Sequence, residues 1–487
     1  MSELQIALVL FLFKEGLALH ALVKVNQESV KIRSVHAGEF HLAADADAAA
    51  AALGAERAYA GHEALLADAD LDAIYLALPH QFHREWAIRA LRVHKAVLCE
   101  KPATLSAAEM AEVAEVARTE GVLFMEAMKP RFVPLYAQVV EACGRIGQLT
   151  RVDTTLCNDM LGFVSGAGTY HMTPGPGAGV LLDCGIYCAS WLEDFCSGTP
   201  ELVSIAGAEK NGIDVYADAA FAFDGCAGRL ECAFDRAKAR TATLVGTNGR
   251  IVVEELHRPQ RATVYVDGEE PQVLDAPYVV DDFYGETSHF VGLLEQGLTE
   301  SPIMTLDDSS RCAAILDAIR PAFTVTPQAL EVLAEQEREL RYPERFGSDE
   351  AFELGSAVRA LACDYDLGFV VGIVREADGY DLFRWGADGK RPANYDYAEG
   401  KRQASLRLAH CSLWGWTEAM LAGEDREQLL AHGDMPVGGA FPLCVGDERV
   451  ATICVSGLHE GLDHELIVRA LEQVLGKHVT AYPCVTI

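Results

Sequence analysis

Positive charge is scarce in this 487-residue sequence: 40 lysines and arginines face 72 aspartates and glutamates, for a formal net charge of −32. That shortage excludes a nucleic-acid or anionic-membrane surface, since both need a basic patch to displace counterions or meet lipid head groups. Long apolar runs are missing too. Ile6 to Phe13 is too short to span a bilayer and lacks the basic flank and small-residue cleavage site of a leader, so a cytoplasmic protein is expected. The fourteen cysteines include no C-x-x-C pair and read as reduced, mostly buried small hydrophobes. No His, Cys or carboxylate group has a zinc spacing, so no metal is expected. A G-x-S-x-G elbow and a P-loop are also absent.

What is present is the material of large cores, with 50% hydrophobic and 23% charged residues. A chain this long is expected to form about three folding units. Short apolar runs at Ile6–Phe13, Val30–Val35, Ala73–Leu78, Ala96–Cys99 and Val122–Phe124 alternate with alanine-rich amphipathic stretches. Strands and helices in alternation require crossover connections, hence a parallel doubly wound sheet carrying its ligand beyond the carboxyl ends of its strands. Between about 150 and 275 the pattern becomes alternating strands, such as Arg151–Leu156, Ala219–Phe223, Leu230–Phe234 and Thr263–Val266, which predict a large, mainly antiparallel sheet. Helices are expected at Asp183–Phe195 and Ser309–Ile319, the second packing back on the first domain. Beyond Arg341–Gly347 a new module starts, with a helix at Asp349–Cys363 behind Ser348 as N-cap. It continues with strands at Gly368–Val374 and Val450–Val455 and helices at Tyr397–Thr417 and Asp463–Leu475.

The residues equipped for chemistry begin with Glu100-Lys101-Pro102, directly after the strand Ala96–Cys99. A lysine at a strand's carboxyl end faces the ligand crevice, where its ammonium can stabilise an alkoxide or lower the pKa of a neighbouring acid. In the second domain a glycine-bearing turn, Gly177-Ala178-Gly179, leads into Val180-Leu181-Leu182-Asp183-Cys184-Gly185-Ile186-Tyr187. Asp183 and Tyr187 are four apart and share a face of an α-helix. A tyrosine beside a lysine ammonium ionises more easily and can pass a proton to or from a substrate oxygen. The alternative is a buried tyrosine with a structural hydrogen bond.

Together with Asp72-Ala73-Ile74-Tyr75-Leu76-Ala77-Leu78-Pro79-His80, His83, Phe124-Met125-Glu126-Ala127-Met128 and Arg131-Phe132, these segments resemble the Gfo/Idh/MocA oxidoreductase family, in particular its dihydrodiol-dehydrogenase-like branch. The resemblance covers residues 1 to about 340. It implies an α/β protein with a Rossmann domain at 1–125 and an α+β substrate and oligomerisation domain at 126–345, built on the large sheet. It implies NAD(P)-dependent hydride transfer to or from a polyol, sugar or cyclic diol, with Lys101 and Tyr187 flanking the reacting carbon and Asp183 positioning them. Lys129 or Arg131 would contact substrate or a cofactor phosphate. The cofactor crevice would be lined by Leu12, Phe13, His36, Leu78, Pro79, His83, Glu100 and Lys101. A small-molecule substrate and a homo-oligomer are expected.

The chain departs from that family after the first strand. Where G-x-G-x-x-G lets a backbone approach a pyrophosphate, it reads Leu10-Phe11-Leu12-Phe13-Lys14-Glu15-Gly16, and the second strand ends at Val35-His36-Ala37-Gly38 without the acid that reads the ribose of NAD. His36 or Arg33 would tolerate a 2′-phosphate. Two readings stay open: NAD or NADP bound in an altered way, or a cofactor-free relative serving as a small-molecule sensor or scaffold. Residues 348–487 resemble the haem-degrading, HbpS-like family of small α/β domains, on His432-Gly433, Gly438-Gly439-Ala440-Phe441-Pro442, Val455-Ser456-Gly457-Leu458 and Asp463-His464-Glu465, with Trp385 and Arg402 upstream. His432 and His464 are its candidate ligands, against a structural role for each.

Overall fold

The structure is a computed structural model that describes residues 5–10, 31–37, 57–59, 62–163, 170–210, 212–363, 368–424 and 435–486. The chain divides into two compact units: Met1–Ser204 with Ala217–Ala233 and Ala239–Arg320, and Ile205–Tyr216 with Phe234–Lys238 and Pro321–Ile487.

In the first unit, β1 (Gln5–Leu10), β2 (Lys31–Ala37), β3 (Arg57–Tyr59), β4 (Ala73–Ala77), β5 (Ala96–Glu100) and β6 (Phe124–Ala127) form a sheet in the order β3-β2-β1-β4-β5-β6. Every pairing in it is parallel. The strand order reverses between β1 and β4, and the crevice for a ligand lies outside the carboxyl ends at that point. The strands read as near-continuous apolar runs because helices cover them: Ile74, Leu76, Val97, Leu98, Phe124 and Met125 are all buried. Burying each of the larger side chains contributes about 1.5–3 kcal/mol. The register Leu76↔Cys99 and Glu100↔Ala127 brings the turns after β4, β5 and β6 side by side.

The second sheet uses β7 (Leu149–Cys157), β8 (Glu201–Lys210), β9 (Ile213–Phe223), β10 (Cys226–Ala233), β11 (Thr241–Gly246), β12 (Gly249–Glu254), β13 (Arg261–Val266) and β14 (Gln272–Asp275). Within the first unit its order is β14-β13-β12-β11-β7-β10-β9. It is mixed but mainly antiparallel: β7 pairs antiparallel with β11 and parallel with β10. Val152, Thr154 and Leu156 alternate inward along β7, under the helix Ile186–Phe195. The helix expected from Ser309 starts earlier, at Leu306, because Thr305 and Asp308 form a capping box. It packs on the helix Ala107–Glu120, where Asp317 accepts from the Ala107 N–H at 2.8 Å.

The second unit is built on β15 (Val370–Arg375), β16 (Asp381–Gly386), β17 (Ala440–Val445) and β18 (Glu448–Ser456), antiparallel in the order β16-β15-β18-β17. Three expected boundaries are corrected here. The helix expected behind Ser348 includes it, since the Gly347 N–H is the group satisfied by the Glu350 carboxylate at 2.9 Å. The helix expected over Tyr397–Thr417 is two, Pro392–Leu408 and Ser412–Ala422, broken where Ala409 turns left-handed at φ 59°. The last helix, Glu460–Leu475, opens three residues before Asp463.

That helix is tied to the segment 234–238. His459 caps it, its Nδ1 accepting from the Leu462 N–H, so Nε2 carries the proton and donates to Asp235 at 2.6 Å. Arg236 bonds Asp235 through two nitrogens, donates to both oxygens of Glu465 at 2.9 Å, and stacks over Tyr216 at 3.6 Å. The C-terminal strand β19 (Cys484–Thr486) pairs parallel with residues 207–209 of β8.

His464 lies inside this unit among Phe441, Tyr482 and Gln336, whose Oε1 holds its Nε2 at 2.9 Å. Burial pushes its pKa down to about 4. The unfolded chain, with an ordinary histidine near 6.5, therefore binds the proton first, and stability falls as pH drops from about 6.5 to 4. The loss is on the order of 3 kcal/mol. Acid titration of the unfolding midpoint of this unit should show that decline, and His464→Gln should flatten it. His432 lies outside the described residues.

Candidate active site

Three adjacent turns of the parallel sheet deliver the first half of the site. After β4 comes Leu78-Pro79-His80, after β5 Lys101-Pro102, and after β6 Lys129-Pro130-Arg131. The second half arrives on the loop leading to the helix Ile186–Phe195. Gly177 has φ +87°, and a Cβ there would meet the Cβ of His80 at 3.0 Å and the Gln81 nitrogen at 3.2 Å. Only glycine lets this loop settle on the end of β4. The Gly177 carbonyl lies 2.9 Å from His80 Nδ1.

The expected regular helix from Asp183 is corrected: Leu181–Gly185 is a π turn, and the α-helix starts at Ile186. Such wide turns inside helices concentrate at functional sites. Here both the main-chain oxygen and the carboxylate of Asp183 accept from Lys101 Nζ, each at 2.8 Å. The ammonium is thereby fixed 4.8 Å from the centre of the Tyr187 ring. Lys101, Asp183 and Tyr187 thus come together.

Electrostatics corrects one expectation. Burial pushes the Tyr187 phenol well above its ordinary pKa, although Lys101 pulls the other way, so the hydroxyl is protonated in this state. Burial likewise disfavours ionisation of Asp183, but Lys101 and His171 together hold its carboxyl well below the usual range. Among the described residues no side chain or backbone group hydrogen-bonds the Tyr187 hydroxyl. That leaves it available to a ligand.

The other expected residues fall in different places. Lys129 pairs with Asp282 at 2.6 Å, lies 4.5 Å from the Phe283 ring centre and stands 5.9 Å from that of Tyr187. Arg131 is buried in a structural knot: it donates to Ser190 Oγ and O at 2.9 Å and to Glu193, with Asp308 at 3.5 Å. Its guanidinium is consumed by protein partners. His83 is fully buried, its ring nitrogens 2.8 Å from the Pro102 carbonyl and 2.7 Å from that of Leu78, so it braces the β4 and β5 turns instead of lining the crevice. Glu100 takes the Tyr75 hydroxyl and the Lys101 N–H, setting the turn beneath the ammonium. Leu78 is buried at the end of β4. Leu12 and Phe13 lie outside the described residues, and His36 is placed on β2 by its backbone alone.

Two residues that carried no sequence signal also lie near Tyr187. The His257 ring lies 5.9 Å from that of Tyr187, with its buried Nδ1 unpartnered. Burial, then Arg258, Lys129, Arg240 and Lys101, hold its pKa down to about 3. Glu286 is buried with neither carboxylate oxygen bonded, and burial, then Glu100, pushes its pKa well above the usual carboxylate range. No group of three or more metal-ligating side chains occurs among the described residues. None of the described helices is long and apolar enough to cross a membrane.

A pinned lysine and a free tyrosine at the carboxyl edge of a nucleotide-type sheet define an oxidoreductase-like site. Residues 20–128 match the model of the oxidoreductase family with an NAD-binding Rossmann fold, and residues 136–252 match the Gfo/Idh/MocA C-terminal domain. Trans-1,2-dihydrobenzene-1,2-diol dehydrogenase of Mus musculus is 32% identical over 280 residues, 55% of this chain and 83% of that protein. D-xylose 1-dehydrogenase (NADP(+)) 2 of Haloferax volcanii is 31% identical over 282 residues, 57% of this chain and 85% of its own. The scyllo-inositol 2-dehydrogenase (NADP(+)) of Bacillus subtilis is 29% identical over 271 residues, 55% and 82%. A 3-ketoreductase from Actinomadura kijaniata, solved with TDP-benzene and NADP, has the same fold, with a TM-score of 0.54 at 24% identity over 66% of this chain and 97% of that one. The chain belongs to the Gfo/Idh/MocA oxidoreductase family. It carries in addition a C-terminal domain of the HbpS-like type, matched over residues 346–472.

Proposed function

We propose that the protein is an NAD(P)-dependent dehydrogenase or reductase acting on a polyol, sugar or cyclic diol. The observation that carries this reading is the Lys101 ammonium, held at 2.8 Å by two oxygens of Asp183 and set 4.8 Å from the ring of Tyr187. The described part of the nucleotide crevice suits a nicotinamide. It lies at the strand-order reversal, and Lys101 offers a cation at the edge of β5, while Pro79 is itself buried after β4.

When bound, the nicotinamide accepts or supplies the hydride. The protonated Tyr187 phenol gives its proton to a carbonyl oxygen as the carbon is reduced, and takes it back in the oxidative direction. Lys101 stabilises negative charge on that oxygen and on the phenolate, and Asp183 keeps the ammonium in place. Related proteins named for diols, xylose and scyllo-inositol support the substrate class.

The test is titration of the full chain with NADH and NADPH, following reduced-nicotinamide emission, and then a panel of diols, polyols and aldoses. Saturable binding with turnover of a panel member is the expected outcome. If neither nucleotide binds at millimolar concentration, the proposal fails and the chain is a cofactor-free relative.

A further inference from the structure

The helix that carries Tyr187 ends in a sulfur contact. Cys196 is the C-cap of Ile186–Phe195, its N–H bonded to the Leu192 carbonyl, and its Sγ lies 3.4 Å from that of Cys226, the first residue of β10. Both residues belong to the first unit. Two further contacts hold the segments together. The Asp224 N–H donates to the Ser197 carbonyl at 3.0 Å, and Gly198, at φ +90°, sits so close that a Cβ would meet the Asp224 carboxylate at 2.5 Å. The sulfurs therefore need to approach by about 1.4 Å to reach the ~2.0 Å of a disulfide.

Neither thiol lies deep. Cys196 is 5% exposed and Cys226 8%, and exposed residues adjoin both: Ser197 and Gly198 after the first, Gly225 and Ala227 on either side of the second. The Cys226 S–H has the Ala227 carbonyl at 3.6 Å, which leaves the Cys196 S–H to point at the Cys226 sulfur. Burial, then the neighbouring sulfur, pushes the Cys196 thiol up. Burial raises Cys226 as well, with the hydrogen bond from Cys196 working against that rise and the Asp153 charge with it. Cys226 is thus the better nucleophile of the two, and it is the more exposed. Scarce thiolate makes its reaction slow, whereas a disulfide has no charge to bury and suits the site.

We propose that Cys196 and Cys226 form a site of reversible oxidation, which hydrogen peroxide closes to a disulfide. The Cys226 thiolate attacks one peroxide oxygen, the O–O bond breaks, and the departing hydroxide takes a proton to become water, leaving Cys226 as a sulfenic acid. The Cys196 sulfur then gives up its proton and attacks that of Cys226; the S–S bond forms, the S–O bond breaks and a second water leaves. Two thiols and one hydrogen peroxide become one disulfide and two waters, with two electrons passing from sulfur to oxygen. A thiol reductant reverses the change. The bond clamps the end of the tyrosine-bearing helix to the β9–β10 hairpin and keeps Cys226 from the sulfinic state.

The experiment treats the full-length chain, reduced beforehand, with millimolar hydrogen peroxide, blocks the remaining thiols with iodoacetamide in urea, and digests without reduction using trypsin and a glutamyl protease. Those cuts place Cys196 in residues 194–201 and Cys226 in residues 211–229, each without another cysteine. Single chains isolated by non-reducing denaturing electrophoresis should yield the two peptides joined, and dithiothreitol should separate them. In Cys196→Ser, the same treatment with dimedone present should label Cys226, whereas in Cys226→Ser it should leave Cys196 unlabelled. The linked chain should unfold a few degrees above the reduced one, because tying residues 30 positions apart restricts the unfolded chain. No joined peptide, either cysteine linked to a different one, or dimedone on Cys196 but not on Cys226 overturns the proposal. So does a linked chain that unfolds below the reduced one, since a strained bond contradicts the contact at 3.4 Å.

Discussion

Replacing Tyr187 by phenylalanine is expected to lower kcat by roughly 10²–10⁴-fold, the range for loss of a positioned proton donor. The unfolding midpoint should stay within a degree or two of the parent. The asymmetry follows from the site: the hydroxyl has no protein hydrogen-bond partner among the described residues, so its removal breaks no internal bond, while the ring keeps its packing under Lys101 and His257. Lys101→Ala should cost at least as much activity, and it should also destabilise the fold, because the part-buried Asp183 carboxylate loses the ammonium that keeps it ionised. Lys101→Arg should not rescue: a planar fork cannot place one charge 2.8 Å from two oxygens of the same residue as well as over the tyrosine ring. Steady-state kinetics with the substrate found in the panel, paired with thermal unfolding of each variant, checks both halves. Normal kcat in Tyr187→Phe would assign the proton transfer to another group.

Arg236→Met is expected to destabilise the second unit by about 3–5 kcal/mol, the usual cost of removing one partner from a buried ion network. Arg236 is 1% exposed and satisfies Asp235 and Glu465 together. Burial opposes the ionisation of both acids, yet in the folded chain Arg236 holds Glu465 down to about 2 and Asp235 lower still. The unfolded chain takes up protons near pH 4 to 4.5, so in the parent this stabilisation is present above that range and is lost as pH falls toward 2. In the variant the acids ionise with difficulty, and the acid transition should move to higher pH. Urea unfolding at pH 7 and an acid titration followed by tryptophan fluorescence read the two effects. Cutting the chain after residue 345 removes Glu465 and His459 together and should be at least as damaging. An unchanged midpoint in Arg236→Met would mean that packing, not the ion network, holds segment 234–238.

The sequence made the parallel sheet legible because the strands are short, apolar and separated by amphipathic helices, and it made Lys101 legible because the motif sits at a strand's end. Asp183 and Tyr187 were also within reach, although by the wrong geometry: counting 3.6 residues per turn assumes a regular helix, and the π turn changes which groups of Asp183 face Lys101. Arg131 shows the limit of reading charge in one dimension, since a basic residue after β6 looks the same whether it faces a ligand or, as here, Ser190 and Glu193. The phenol's protonation was missed for a related reason: lysine proximity was visible in the motifs, while the burial that outweighs it is a property of the packed site. His257 had no signal at all, being a lone histidine in a turn more than sixty residues from its ring partner. For Thr305 the signal existed, a threonine followed three residues on by an acid, and it marked the helix start better than the apolar pattern did.

The tie between Arg236 and Glu465 also orders events in time. The two residues are 229 positions apart, so a ribosome adding roughly 5–20 residues per second makes the second some 10 to 50 s after the first. Through that interval Asp235 and Arg236 lack Glu465 and the His459 cap, and residues 207–209 of β8 have no β19 to pair with. An unpaired strand segment is an invitation to another nascent chain. Slow translation of the stretch encoding residues 348–487 should therefore raise the aggregated fraction, and a holdase that shields the emerging strand should lower it.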